Sequence, residues 1–134
     1  MCHTHSIGLL SLCCLSSLNL YPDIFQLCIP EPTKCKIVAI AEPRPMTRKL
    51  MVEAHFVDRT LVFDEYRDLL KASAETIKTV GKRLADAILV TVQDSMHEEV
   101  TLAFAEQGFH ILCEKPMSTT LEACFRIEKP FRLV

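Results

Sequence analysis

The stretch from Asp86 to Met117 constrains the fold more than any other part of the chain, because it has the pattern of a strand, a helix and a second strand. Residues 87–92 form an almost unbroken apolar run, typical of a strand that is buried on both faces. Residues 98–107 have helical spacing of apolar positions, and Gly108 follows where a C-terminal cap is expected. Residues 109–113 are a second apolar run. The pattern predicts two parallel strands joined by a helix.

Polar side chains follow both predicted strands. Gln93 and His97 come after the first strand, and Glu114 and Lys115 come directly after the second, before Pro116. The carboxyl ends of parallel strands lie at one edge of a sheet, where open α/β folds bind their ligands. We therefore predict that these residues share one site.

This segment resembles the Gfo/Idh/MocA family of NAD(P)-dependent oxidoreductases, the group of glucose-fructose oxidoreductase and inositol dehydrogenase. The resemblance rests on His97 after a strand, Gly108 after a helix, and the tripeptide 114–116 after the next strand. It runs from about Lys34 to about Lys129 and implies a dinucleotide-binding domain. Intact members also have a second half that holds the substrate. We find no counterpart of that half here and expect a family member truncated at both ends.

The resemblance also implies residue roles. Lys115 is the candidate catalytic residue, since an ammonium group there can stabilise alkoxide charge or assist proton transfer. Glu114 would orient Lys115 or the ribose, and Gln93 and His97 would lie near the cofactor. The alternatives are an exposed lysine after a strand and a helix-start histidine bonded to the backbone. The Lys115–Pro116 peptide is of a type that tolerates the cis form.

The apolar run 36–41 predicts another buried strand, and Glu42 follows it. In dinucleotide-binding folds, an acidic residue at the end of the second strand hydrogen-bonds the adenosine ribose. By resemblance, Glu42 is the candidate ribose ligand. Arg44 and Arg48 could meet a 2′-phosphate, which would favour NADP over NAD. Alternatively, Glu42 caps the next helix and the arginines are solvated.

The chain lacks the glycine fingerprint G-x-G-x-x-G that cradles the pyrophosphate of a dinucleotide. Its three glycines, Gly8, Gly81 and Gly108, lie far apart. The turn is expected around Tyr21–Phe25, with the first strand just before it. We therefore expect an α/β fold with an incomplete Rossmann-like parallel sheet flanked by helices, its first strand and Gly-rich turn missing. The missing turn puts binding of NAD or NADP by this chain in doubt.

Two regions are predicted. Residues 1–32 form a leader without family resemblance, either disordered or supplying an improvised strand or helix, and residues 33–134 form the truncated dinucleotide-binding domain. A missing first strand would leave the second and fourth strands without a partner between them, which is costly. The leader fills this gap, or the sheet is open or split.

A last helix is predicted at residues 121–128. Its apolar side is expected to consist of four residues: Leu121, Cys124, Phe125 and Ile127. An amphipathic helix buries such a side against the rest of the domain.

Composition argues against several classes of function. A net charge of −2 gives no reason to expect nucleic-acid binding. The apolar run Ile7–Leu18 is shorter than the roughly 20 residues that a membrane helix needs, and it lacks a positive flank. The seven cysteines are odd in number and include no C-x-x-C pair, which favours reduced thiols and a cytoplasmic protein. Cys2, His3 and His5 lack a recognised metal-site spacing, so no metal is expected.

Two functional hypotheses remain. In the first, the chain descends from an oxidoreductase that binds a dinucleotide and transfers hydride to or from a sugar- or polyol-like substrate. The small-molecule substrate then belongs to intact relatives only, and this chain is inactive. In the second, the chain is a non-catalytic fragment or interaction module that uses an open sheet edge to pair with an intact paralogue or to self-associate.

Overall fold

The computed structural model describes residues 7–13 and 34–132. Its centre is a parallel sheet of five strands: β1 (Ile7–Cys13), β2 (Cys35–Ala41), β3 (Val62–Phe63), β4 (Ala87–Thr91) and β5 (His110–Cys113). The strands lie in the order β3-β2-β1-β4-β5, and each neighbouring pair is parallel. This is the order of a dinucleotide-binding sheet without its sixth strand. The prediction of a Rossmann-like α/β fold is confirmed.

The helices that flank the sheet are α1 (Pro45–His55), α2 (Tyr66–Val80), α3 (His97–Glu106) and α4 (Leu121–Glu128). Gly81 ends α2 with φ +73°, and Gly108 follows α3 with φ +80°, a left-handed conformation that glycine adopts without strain. Helices α2 and α3 pack in the larger core cluster, around Leu69, Ile88 and Phe104. Helix α1 packs in a smaller cluster around Ile40 and Met51. None of the described helices has the length and apolarity to cross a membrane.

The expectation that the first strand is missing is wrong. Strand β1, in the leader, lies at the centre of the sheet. Its residues pair with β2 from Ile7 opposite Cys35 to Leu12 opposite Ala41, with an irregularity between Leu9 and Leu10. On its other side, it pairs with β4 over five residues. The leader therefore fills the gap between the second and fourth strands, because backbone groups at the centre of a sheet must be paired on both sides.

The expected position of the phosphate turn, Tyr21–Phe25, lies outside the described residues, as do Cys2, His3 and His5. Since β1 ends at Cys13, the turn that follows it begins at residue 14. Residues 14–33 contain no glycine, so the fingerprint is absent from this stretch of sequence. The division into residues 1–32 and 33–134 stays a prediction, although β1 ties the leader to the sheet.

One residue aligns the beginnings of three strands. Asp86 lies just before β4, and its Oδ2 accepts a hydrogen bond of 2.8 Å from the Gly8 amide. The Asp86 amide donates to the Gly8 carbonyl at 3.0 Å, and the His110 amide donates to the Asp86 carbonyl at 3.2 Å. These bonds fix the start of β1 against β4 and the start of β4 against β5.

Gly8 also lies where a side chain has little room. A Cβ atom there would be 3.0 Å from Val38 Cγ2 and 3.4 Å from Ala85 Cβ. We expect Gly8→Ala to lower the free energy of unfolding by about 1–3 kcal/mol, the usual cost of overpacking. Urea unfolding followed by circular dichroism measures it.

A second substitution tests the cause. Val38→Ala removes Cγ2, so the double variant Gly8→Ala/Val38→Ala should lose less stability than the sum of the two single variants. An unchanged stability of Gly8→Ala, or strictly additive losses, would contradict this packing of β1.

Candidate functional site

The predicted site residues lie at the carboxyl ends of three strands, where parallel strands present their ligand-binding edge. Glu42 follows β2, Gln93 comes two residues after β4, and Glu114 follows β5. The edge separates them into two groups. The Glu42 group and the Glu114 group are three strand spacings apart, or about 14 Å.

Glu42 is fully buried, and Arg44 covers its carboxylate. Arg44 donates from its backbone amide and from Nε to Glu42 Oε1 at 2.8 and 2.9 Å, and from Nη2 to Oε2 at 2.9 Å. This is a bidentate fork, the strong geometry for a guanidinium and a carboxylate. Glu42 does not cap α1: the residue at the N-cap is Arg44, and it makes no side-chain cap bond. The alternative of a capping Glu42 with solvated arginines is therefore wrong.

Arg48 extends this charged cluster to β3. Its Nη1 donates to the Glu42 carbonyl at 2.6 Å and lies 3.0 Å from Asp64 Oδ1. The cluster thus contains two acids and two arginines. Sequence reasoning missed Asp64, although it directly follows β3 and the rule that polar residues past parallel strands share an edge could have found it.

His97 is fully buried at the start of α3 and bridges two backbone carbonyls. Its Nδ1 lies 2.8 Å from the Pro116 oxygen, and its Nε2 lies 3.1 Å from the Val92 oxygen. A neutral imidazole has one N–H and can donate to one of these oxygens at a time. This is the helix-start histidine bonded to the backbone. It ties the end of β4 to the loop after β5.

The loop 114–116 presents Lys115 to solvent. The Lys115–Pro116 peptide is cis, as its type allows. Glu114 Oε2 is buried, with no hydrogen-bond partner among the described residues. No ion pair joins Glu114 to Lys115 in this part of the chain. Gln93 is exposed, and its carbonyl accepts from the Met96 amide at 2.8 Å.

Cys113 is the thiol nearest to this loop. Burial raises its pKa, an effect that the Thr101 hydroxyl opposes and the Glu114 carboxylate reinforces. A raised pKa keeps the thiol protonated at neutral pH. Cys113 therefore serves as a packing residue and not as a nucleophile.

These residues fit a dinucleotide at its two nucleoside ends and not at its pyrophosphate. Glu42 and Lys115 lie on either side of the junction of β1 and β4, where the strand order reverses and such ligands bind. The stretch after β1 has no glycine to let the backbone approach a phosphate.

We expect His97→Phe to release the loop 114–117. The substitution removes the ring nitrogens that reach Val92 and Pro116, so unfolding free energy should fall by about 1–3 kcal/mol. Amide exchange measured by mass spectrometry should rise more at 114–117 than in β4. His97→Gln, which keeps a donor, should be intermediate. Equal changes in the loop and in β4 would show that His97 only packs.

Comparison with known proteins places the chain. The model of the oxidoreductase family with an NAD-binding Rossmann fold matches residues 26–132. Inositol 2-dehydrogenase 2 of Saccharopolyspora erythraea is 50% identical over 42 residues, which are 31% of this chain and 12% of that protein. Inositol 2-dehydrogenase/D-chiro-inositol 3-dehydrogenase of Halalkalibacterium halodurans is 32% identical over 94 residues, 70% of this chain and 24% of that protein.

Solved structures have the same fold. The WlbA dehydrogenase from Bordetella pertussis in complex with NADH and UDP-GlcNAcA has a TM-score of 0.73 at 19% identity, with 97% of this chain and 33% of that chain covered. Apo scyllo-inositol dehydrogenase from Lactobacillus casei has a TM-score of 0.72 at 17% identity, with 98% and 34% covered. The chain thus spans about a third of these structures and less of the curated relatives. By its family match, the chain belongs to the Gfo/Idh/MocA oxidoreductase family and comprises the region of its NAD-binding Rossmann domain.

Proposed function

We propose that this chain is the nucleotide-binding part of an oxidoreductase that acts on a polyol- or sugar-like substrate. The observation that carries the proposal is the loop 114–116, which His97 holds at the same sheet edge as Glu42. The likeness to inositol dehydrogenases supports the substrate class. A nicotinamide nucleotide, when bound, supplies the site that donates or accepts hydride.

Lys115 is the residue of this chain proposed to act on the reacting oxygen. Its ammonium group is exposed at the carboxyl end of β5 and can stabilise negative charge on an alkoxide. Glu114 Oε2, which has no partner among residues 34–132, would accept a hydrogen bond from Lys115 or from a ribose hydroxyl. Gln93 and His97 complete this side, Gln93 as a cofactor contact and His97 mainly by positioning the loop.

The pairing of Glu42 with Arg44 bears on the choice between NAD and NADP. To bind ribose hydroxyls, the Glu42 carboxylate must give up part of its fork with Arg44. A 2′-phosphate offers Arg44 a new anionic partner, with Arg48 close by, whereas the hydroxyls of an NAD ribose offer it none. We therefore expect the site to prefer NADP.

Thermal melts with NADH or NADPH test both binding and preference. A nucleotide at ten times its Kd stabilises the native state by about 1.4 kcal/mol and raises Tm by several degrees. NADPH should give the larger shift, and Arg44→Ala should abolish the difference. Arg126→Ala is the control, because it also removes an arginine–glutamate pair, with Glu98 on α3. No shift with either nucleotide would reject binding, and a larger shift with NADH would reject the role of Arg44.

We propose that the chain by itself does not turn over substrate. It covers about a third of the structures that it matches, and the sequence after β1 has no phosphate-binding glycine. Turnover by the pure protein would contradict this proposal. A cytoplasmic location is proposed on the free thiols Cys35, Cys113 and Cys124, which a reducing compartment maintains.

The open edge of β5 favours a second function, association with another protein chain. Among the described strands, β5 pairs with β4 alone. Exposed strand edges are templates for pairing with further strands. The partner is then an intact paralogue or a second copy of this chain.

A further inference from the structure

The outer edge of β5 presents a short, regular set of backbone groups. The amides of His110 and Glu114 donate to carbonyls of Asp86 and Val90, so the even-numbered residues of β5 face β4. In a parallel ladder, the N–H and C=O of one residue point to the same side. The odd-numbered residues, Ile111 and Cys113, therefore direct two N–H and two C=O groups outward. No described strand pairs with them.

A groove of about 900 Å³ runs along this edge, between α3 and α4. Its lining includes the apolar residues Phe109, Ile111, Ile127 and Phe131. Leu112 on β5 is 48% exposed, and Phe125 on α4 is 57% exposed. The groove therefore combines unpaired backbone groups with exposed apolar side chains, a combination that suits another strand.

The spacing of the outward groups selects one antiparallel register. If two copies of β5 meet about a two-fold axis, Ile111 of each copy can exchange both backbone bonds with Cys113 of the other. This register places Leu112 on the axis and uses all four outward groups of each copy. The exposed Leu112 and Phe125 side chains can then add apolar contact beside the ladder.

The same register pairs complementary side chains. His110 of one copy lies opposite Glu114 of the other, in a pair without backbone bonds, where side chains approach most closely. His110 is exposed, and Glu114 Oε2 is a buried acceptor with no partner among the described residues. An imidazole N–H can supply the missing donor. Two such contacts form, one on each side of the axis.

We propose that a second copy of this chain binds the edge of β5 in this antiparallel register, so that two five-stranded sheets become one. The self-complementary backbone spacing and the two His110–Glu114 contacts favour a second copy over an unrelated chain. This inference rests on the second proposed function and names its partner. It does not depend on nucleotide binding.

Sedimentation velocity of the full chain at micromolar concentrations tests this partner. The wild type should form a dimer. Ile111→Pro removes an outward N–H and none of the bonds to β4, so the fold should remain while the dimer Kd rises at least about tenfold. A far-UV circular dichroism spectrum like that of the wild type checks the fold. A monomeric wild type, or a dimer indifferent to Ile111→Pro, would overturn the proposal.

A charge exchange tests the register itself. His110→Glu places two carboxylates opposite each other and should weaken the dimer. Adding Glu114→His restores opposite partners and should recover it. Failure of this rescue with both variants folded overturns the register, and a complex formed only with an intact relative overturns the choice of partner. The nucleotide melts are read separately: a dimer without a nucleotide shift rejects cofactor binding alone, and a monomer with one rejects this interface alone.

Discussion

The structure depends on the pairing of β1 with both of its neighbours. Strand β1 occupies the position between β2 and β4, and those two buried strands would otherwise have unpaired inner edges. Gly8 and Asp86 set the alignment: the glycine lets β1 lie close to Val38, and the aspartate joins the starts of β1 and β4. Because β1 is in register, the carboxyl ends of the strands meet at one edge and bring the site together.

The two halves of that edge are held in different ways. At β2, the buried Glu42 is neutralised by Arg44, so a bound ribose must compete with an ion pair already in place. At β5, the loop of Lys115 is held through backbone carbonyls that His97 contacts, and the lysine itself remains exposed. The first half can therefore discriminate between ligands by charge, whereas the second keeps a cationic group positioned at the sheet edge.

Sequence patterns predicted β2, β4, α3 and β5 to within a residue or two, because strands buried on both faces are continuous apolar runs and α3 has clear helical spacing. They did not settle β1. A Leu-, Ser- and Cys-rich segment fits a leader as well as a strand, and only its partners decide. Local spacing was also misleading in α4, where Leu121 and Phe125 are exposed and Ala123 and Ile127 face the core. The Glu42–Arg44 fork needed atomic geometry.

Native-state hydrogen exchange of the full chain tests the central role of β1 most directly. A strand bonded on both sides at the centre of a sheet opens only when the domain unfolds. The amides of Leu10 and Leu12 should therefore exchange as slowly as those of Leu89 and Val90 in β4, with the same dependence on denaturant. Fast exchange in β1 beside slow exchange in β4 would show that the leader does not form the central strand, and the account of the site would fail with it.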